Sequence, residues 1–74
     1  MHPADRLRAF LLETDLDTSQ AAKLLGCTRA YVSLLQTKRR RPSLDVAASI
    51  ERMTAKWSSG PIRAVDWTGA ARAA

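Results

Sequence analysis

Several kinds of chemistry are missing from this chain. It has one cysteine, Cys27, and one histidine, His2, so an internal disulfide is excluded and no zinc site can be assembled from Cys and His ligands. Its three glycines are scattered at 26, 60 and 69, so there is no glycine-rich cradle for phosphate, and no nucleophile with a base or carboxylate pair stands out. An enzyme is therefore not expected, nor a cofactor or metal. No apolar run approaches the ~18 residues of a membrane span. The start, Met1 to Asp5, lacks the basic stretch and apolar run of a secretory leader, and a cytoplasmic location is expected. Cys27 stands where an apolar residue is wanted, which favours a buried thiol over a redox sensor.

Acidic residues are also missing from one long stretch. Residues 18–44 contain Lys23, Arg29, Lys38, Arg39, Arg40 and Arg41 and no Asp or Glu, whereas the flanking segments mix both signs. Solvated charged faces usually mix signs as well. A long segment without a carboxylate instead suits a polyanionic partner, with nucleic acid the first candidate.

What is present reads as a small all-α domain of four to five short helices. At 74 residues a single core only just offsets chain entropy, so one domain is expected over 1–67, with 68–74 as a flexible tail. Leu7, Phe10 and Leu11 recur at helical spacing in a first helix from Pro3 to Thr14, where Pro3 and Asp5 suit the first turn. Leu16 is expected to fold back as the chain leaves it. A side-chain oxygen among Asp17, Thr18 and Ser19 starts a second helix, and Gly26 ends it. Thr28 caps a third helix that runs to about Gln36. Ser43 caps a fourth from Leu44 to about Thr54, with Leu44, Ala47, Ile50 and Met53 as its core stripe. The turn at Ser58 to Pro61 then leads to Ile62, Val65 and Trp67, apolar groups that need a partner.

Ala22, Gly26, Val32 and Leu35 make joint sense as two helices packed across a tight turn. Ala22 is small at the closest approach, Gly26 turns the chain, Val32 packs a stiff side chain into the angle and Leu35 anchors the far end. Ala21, Leu25 and Cys27 fill the other inward positions. In this register residues 18–37 resemble the helix-turn-helix of the lambda-Cro and phage-repressor family, also called the xenobiotic-response-element family. The Arg-rich loop, Pro42 and the fourth helix extend the resemblance to about residue 54.

The resemblance implies that the third helix lies in the major groove of double-stranded DNA, with Arg29, Ala30, Ser33 and Leu34 toward the base edges. Arg29 is the first candidate for a specific contact, because a guanidinium can grip O6 and N7 of guanine together. Ala30 either meets a thymine methyl or serves only as a helix former. Ser19, Gln20, Thr28, Tyr31 and Thr37 fit contacts to the sugar-phosphate backbone, with capping an equal role for Thr28 and packing for Tyr31. Lys38, Arg39, Arg40 and Arg41 form an electrostatic clamp on phosphates or in the minor groove. The chain departs from the family pattern twice. Thr18 stands where many relatives have Gln, with Gln20 as the possible substitute. Thr37 and Lys38 stand where many have Gly, so the left-handed turn after the third helix must fall on a residue with a side chain or be replaced.

One short helix reads few bases, so a homodimer on an inverted-repeat operator is expected. Trp57, Ile62, Val65 and Trp67 are its candidate interface residues, with completion of the chain's own core the alternative, above all for Trp67. The resemblance implies a transcriptional repressor, often autoregulatory, of the kind found on phages and mobile elements. An antitoxin repressing its own operon ranks second. A helical protein-protein adaptor is the reading from another class.

Overall fold

A computed structural model describes residues 2–73, with side chains through Thr68. It contains five helices: α1 (Pro3–Glu13), α2 (Thr18–Leu25), α3 (Arg29–Gln36), α4 (Leu44–Met53) and α5 (Ala64–Ala73), and no strand among the described residues. The chain is thus all-helical, as expected. No helix among the described residues is long and apolar enough to cross a membrane. The tail expected over 68–74 falls, from Gly69 on, on side chains outside the described ones.

Local chemistry sets the helix starts. The Asp17 carboxylate accepts the Gln20 N–H at 2.8 Å while Gln20 Oε1 accepts the Asp17 N–H at 3.0 Å, a reciprocal capping box. Thr28 Oγ1 caps α3 through the Tyr31 N–H at 3.1 Å, and Ser43 Oγ caps α4 through the Val46 N–H at 3.3 Å. Each such cap contributes about 1 kcal/mol. His2 caps α1: Nδ1 accepts the Ala4 N–H at 3.0 Å, and the ring meets the Trp67 indole edge-on at 6.4 Å.

The first three helices close in one manner. Behind α1, α2 and α3 a residue in the left-handed region, Asp15 (φ 57°), Gly26 (φ 71°) or Lys38 (φ 65°), turns the chain back. The following N–H reaches the carbonyl five residues earlier: Leu16 to Leu11 and Cys27 to Ala22 at 2.9 Å, Arg39 to Leu34 at 3.0 Å. These are Schellman closures. Only one of the three uses glycine; Asp15 tolerates the conformation better than most side chains, and Lys38 carries its full steric cost.

Leu7, Phe10 and Leu11 of α1, Ala22 and Leu25 of α2, Val32 and Leu35 of α3 and Ala47 and Ile50 of α4 are buried together. Ile62 and Trp67 complete that core from the C-terminal segment, while Trp57 is half-buried with its ring edge-on to Phe10 at 5.3 Å. Leu16 and Cys27 pack at its margin, and Met53 is only partly buried. Leu44 departs from expectation, being 81% exposed. As the first residue of α4 its side chain tilts back beyond the end of the core, whereas Ala47 and Ile50 point into it.

Tertiary bonds position the C-terminal segment. The buried Thr54 hydroxyl donates to the Ile50 carbonyl at 2.8 Å and accepts the Ile62 N–H at 2.8 Å. Glu51 Oε1 accepts the Ala64 N–H at 3.0 Å, supplying the first turn of α5 with a partner from α4. The Arg6 guanidinium donates to the carbonyls of Ser59, Gly60 and Pro61 at 3.0, 2.6 and 3.3 Å, lies 3.7 Å from Asp66 and sits 5.4 Å above the Trp57 ring. The Trp67 indole N–H is buried without a partner among the described residues.

Candidate nucleic-acid interface

The tight turn at Gly26, Cys27 and Thr28 fixes α3 against α2 through Ala21, Ala22 and Leu25 on one side and Val32 and Leu35 on the other. With those side chains turned inward, Arg29, Ala30 and Ser33 lie exposed along the N-terminal half of α3, and Leu34 is half-buried. Ser19 and Gln20 at the start of α2, Thr28 at the cap of α3, and Thr37 to Arg41 are exposed as well. The expected base-reading and backbone-facing residues are therefore surface residues of the α2–α3 unit and the loop behind it.

Several of these side chains already have partners, which decides what each can still offer. Thr28 Oγ1 accepts from α3, yet its hydroxyl hydrogen is free to donate. Gln20 has committed its amide oxygen to the capping box and retains its N–H groups as donors. Thr37 donates its hydroxyl to the Ser33 carbonyl at 3.0 Å, so it closes the helix and has no donor to spare. Tyr31, half-buried, accepts the Ser43 N–H at 3.0 Å through its hydroxyl, with the Arg40 guanidinium 5.5 Å over its ring.

The cationic loop is not uniform. Lys38 Nζ lies 3.2 Å from Asp5 Oδ2, so part of its charge is offset by α1. Arg40 is held by the Tyr31 ring. Arg39 and Arg41 are exposed and have no ion-pair partner among the described residues. A stretch free of acids in sequence is thus not free of them in space: Asp5 faces Lys38, and the exposed Asp17 carboxylate stands at the start of α2 beside Ser19 and Gln20.

Cys27 lies in the turn, half-buried, and burial pushes its thiol above the ordinary value. That shift lowers the thiolate fraction at neutral pH, which fits a packing role.

The residues expected at a subunit interface divide. Ile62 and Trp67 are enclosed in the chain's own core and cannot also anchor a partner, and Trp57 is occupied by Phe10, Arg6 and Glu13, whose Oε1 accepts the indole N–H at 3.1 Å. Val65 alone remains largely exposed.

Lys38 with Asp5 and Tyr31 with Ser43 were not anticipated from sequence, nor was the reciprocal half of the α2 cap, in which Gln20 accepts the Asp17 N–H. The Asp17 and Gln20 spacing is that of a capping box and carries a local signal. The pairing of Lys38 with Asp5 and of Tyr31 with Ser43 joins positions that no periodicity connects. Comparison with protein-family models, curated proteins and solved structures finds no match for this chain.

Proposed function

We propose that the chain is a sequence-specific DNA-binding regulator, a repressor acting in the cytoplasm as a homodimer on an inverted-repeat operator. One observation carries this reading: the tight α2–α3 turn presents Arg29, Ala30 and Ser33 on one exposed helix face, and the loop directly behind that helix holds Arg39, Arg40 and Arg41 exposed. In this reading α3 enters the major groove, Arg29 reads a guanine, and the loop neutralises phosphates on either side. Thr28 and the Gln20 amide donate to the backbone from the start of α2 and α3.

The test is the salt dependence of binding to a selected operator, followed by fluorescence anisotropy. A dimer making ~8 phosphate contacts is expected to lose about four decades of affinity between ~50 and ~200 mM salt. An affinity insensitive to salt would favour a protein-protein adaptor instead.

A further inference from the structure

Residues 40–44 read Arg40, Arg41, Pro42, Ser43 and Leu44. The serine has arginine three and two positions before it and an apolar residue directly after it. No other serine or threonine of the sequence has arginine at both of those positions. A serine kinase that selects basic substrates recognises this pattern: carboxylates of its cleft pair with the two guanidinium groups, and an apolar pocket takes the residue after the serine.

The fold presents the pattern in a form that such an enzyme can grip. Arg40, Arg41, Ser43 and Leu44 are all exposed, residues 39–43 lie outside any helix, and Ser43 is extended (φ −63°, ψ 165°). Leu44, 81% exposed, overhangs the core that it was expected to join and is free to enter another protein's pocket. Ser43 Oγ accepts the Val46 N–H at 3.3 Å and keeps its hydroxyl hydrogen. Arg41 has no ion-pair partner among the described residues, and Arg40 is held by the face of the Tyr31 ring.

We propose that Ser43 is a phosphorylation site for an arginine-directed serine kinase, and that the phosphate switches off the basic loop. In the transfer Ser43 Oγ attacks the γ-phosphorus of ATP and the bond from that phosphorus to its bridging oxygen breaks. ADP leaves, and the hydroxyl proton passes to a carboxylate base of the kinase. The product suits its position. Ser43 is the N-cap of α4, where the positive end of the helix favours an anion, and Arg41 is a counter-ion two residues away; Asp45 in the first turn is the opposing charge. The bond to Tyr31 survives, because Ser43 makes it with its backbone N–H. A charge of about −2 then stands beside Lys38, Arg39, Arg40 and Arg41. Resting here on the DNA-binding reading, the phosphate draws Arg41 away from DNA and repels the DNA backbone, so that binding falls on all sequences alike.

The test incubates the folded full-length chain with ATP and the catalytic subunit of cyclic-AMP-dependent protein kinase, and maps the product by mass spectrometry. One phosphate is expected, on Ser43. Ser43→Asn keeps a capping side chain and takes none. Arg40→Ala and Leu44→Ala are each expected to slow the transfer roughly tenfold or more. The purified phosphorylated chain should melt as a folded protein and bind both operator and scrambled duplexes roughly tenfold or more weakly in anisotropy. Ser43→Asp should shift binding in the same direction by less, and Ser43→Asn should bind as the wild type does. Absence of transfer to Ser43, transfer only to the unfolded chain, or equal rates for Arg40→Ala, Leu44→Ala and the wild type overturns the site. A phosphorylated chain that binds DNA as tightly as the unmodified one overturns the switch. An unmodified chain that binds no DNA would instead sink the DNA-binding reading and leave the phosphorylation site standing.

Discussion

The Tyr31 hydroxyl accepts the backbone N–H of Ser43 at 3.0 Å, across twelve positions of chain. The bond runs from α3 to the cap of α4 and spans the whole basic loop, while the Arg40 guanidinium covers the same ring. The middle of the loop and its far end are thereby held by one side chain. Tyr31→Phe keeps the ring and removes the acceptor. It is expected to lower stability by ~0.5 to 1.5 kcal/mol and to weaken binding to all DNA sequences about equally, by roughly fivefold for ~1 kcal/mol of lost loop order. Thermal melts and anisotropy measure the two effects. Unchanged affinity alongside the lost stability would mean that the bond serves the fold alone.

The exposed cations should divide by role. Arg29→Ala is expected to cost ~1 to 3 kcal/mol on the preferred operator and little on unrelated DNA. Arg39→Ala and Arg41→Ala should weaken both alike and each lower the salt slope by about one. Anisotropy on matched and scrambled duplexes separates the classes. If Arg29→Ala binds the preferred site as the wild type does, Arg29 does not read a base.

Lys38 holds a left-handed conformation and an exposed ion pair together. Glycine at this position relieves a strain of ~1 kcal/mol or more and gives up a surface pair of at most ~1 kcal/mol. Lys38→Gly is therefore expected to gain roughly 0.5 kcal/mol, a Tm rise of about 2 to 4 °C. Lys38→Ala keeps the strain, loses the pair and should melt no higher than the wild type. The order of the three melting temperatures is the check.

Much of this fold was legible in the sequence because it rests on local signals. Capping residues stood at the starts of α2, α3 and α4, and apolar spacing marked α1 and, Leu44 apart, α4. The small Ala22 and the turn at Gly26 set the relation of α2 to α3. Leu44 misled because its place in the periodic stripe says nothing of where the core ends, and the first residue of α4 overhangs it. The start of α5 is held by Glu51, thirteen residues away, and the Lys38–Asp5 pair joins two elements distant in sequence; such partners leave no periodic trace. The exposure of Arg29, Ala30 and Ser33 followed from the inward set. The commitments of Thr37 and Gln20 to their own helices did not.

Thr54 offers the most direct test of how the C-terminal segment is retained. Its hydroxyl is the only hydrogen-bond partner of the Ile62 N–H among the described residues, and both residues are buried. Thr54→Val preserves shape and leaves that N–H unsatisfied, for an expected loss of ~1 to 3 kcal/mol. Thr54→Ser retains the bridge and loses only a methyl, ~1 kcal/mol. Chemical denaturation of the two variants ranks them. Equal stability would show that water reaches the amide.

Arg6 gives the chain an unusual dependence of its end on its beginning. The guanidinium bridges to residues 59–61 and approaches Asp66, so the loop leading to α5 is fastened by the first helix and not by its sequence neighbours. Helices α2 and α3 lie between the two halves of that fastening. A fragment cut to residues 18–44 would keep every proposed DNA contact and lose the clasp that encloses its core. The smallest working unit is accordingly the whole two-ended assembly, and its tryptophans, one beneath Arg6 and one beside His2, should report a single melting event.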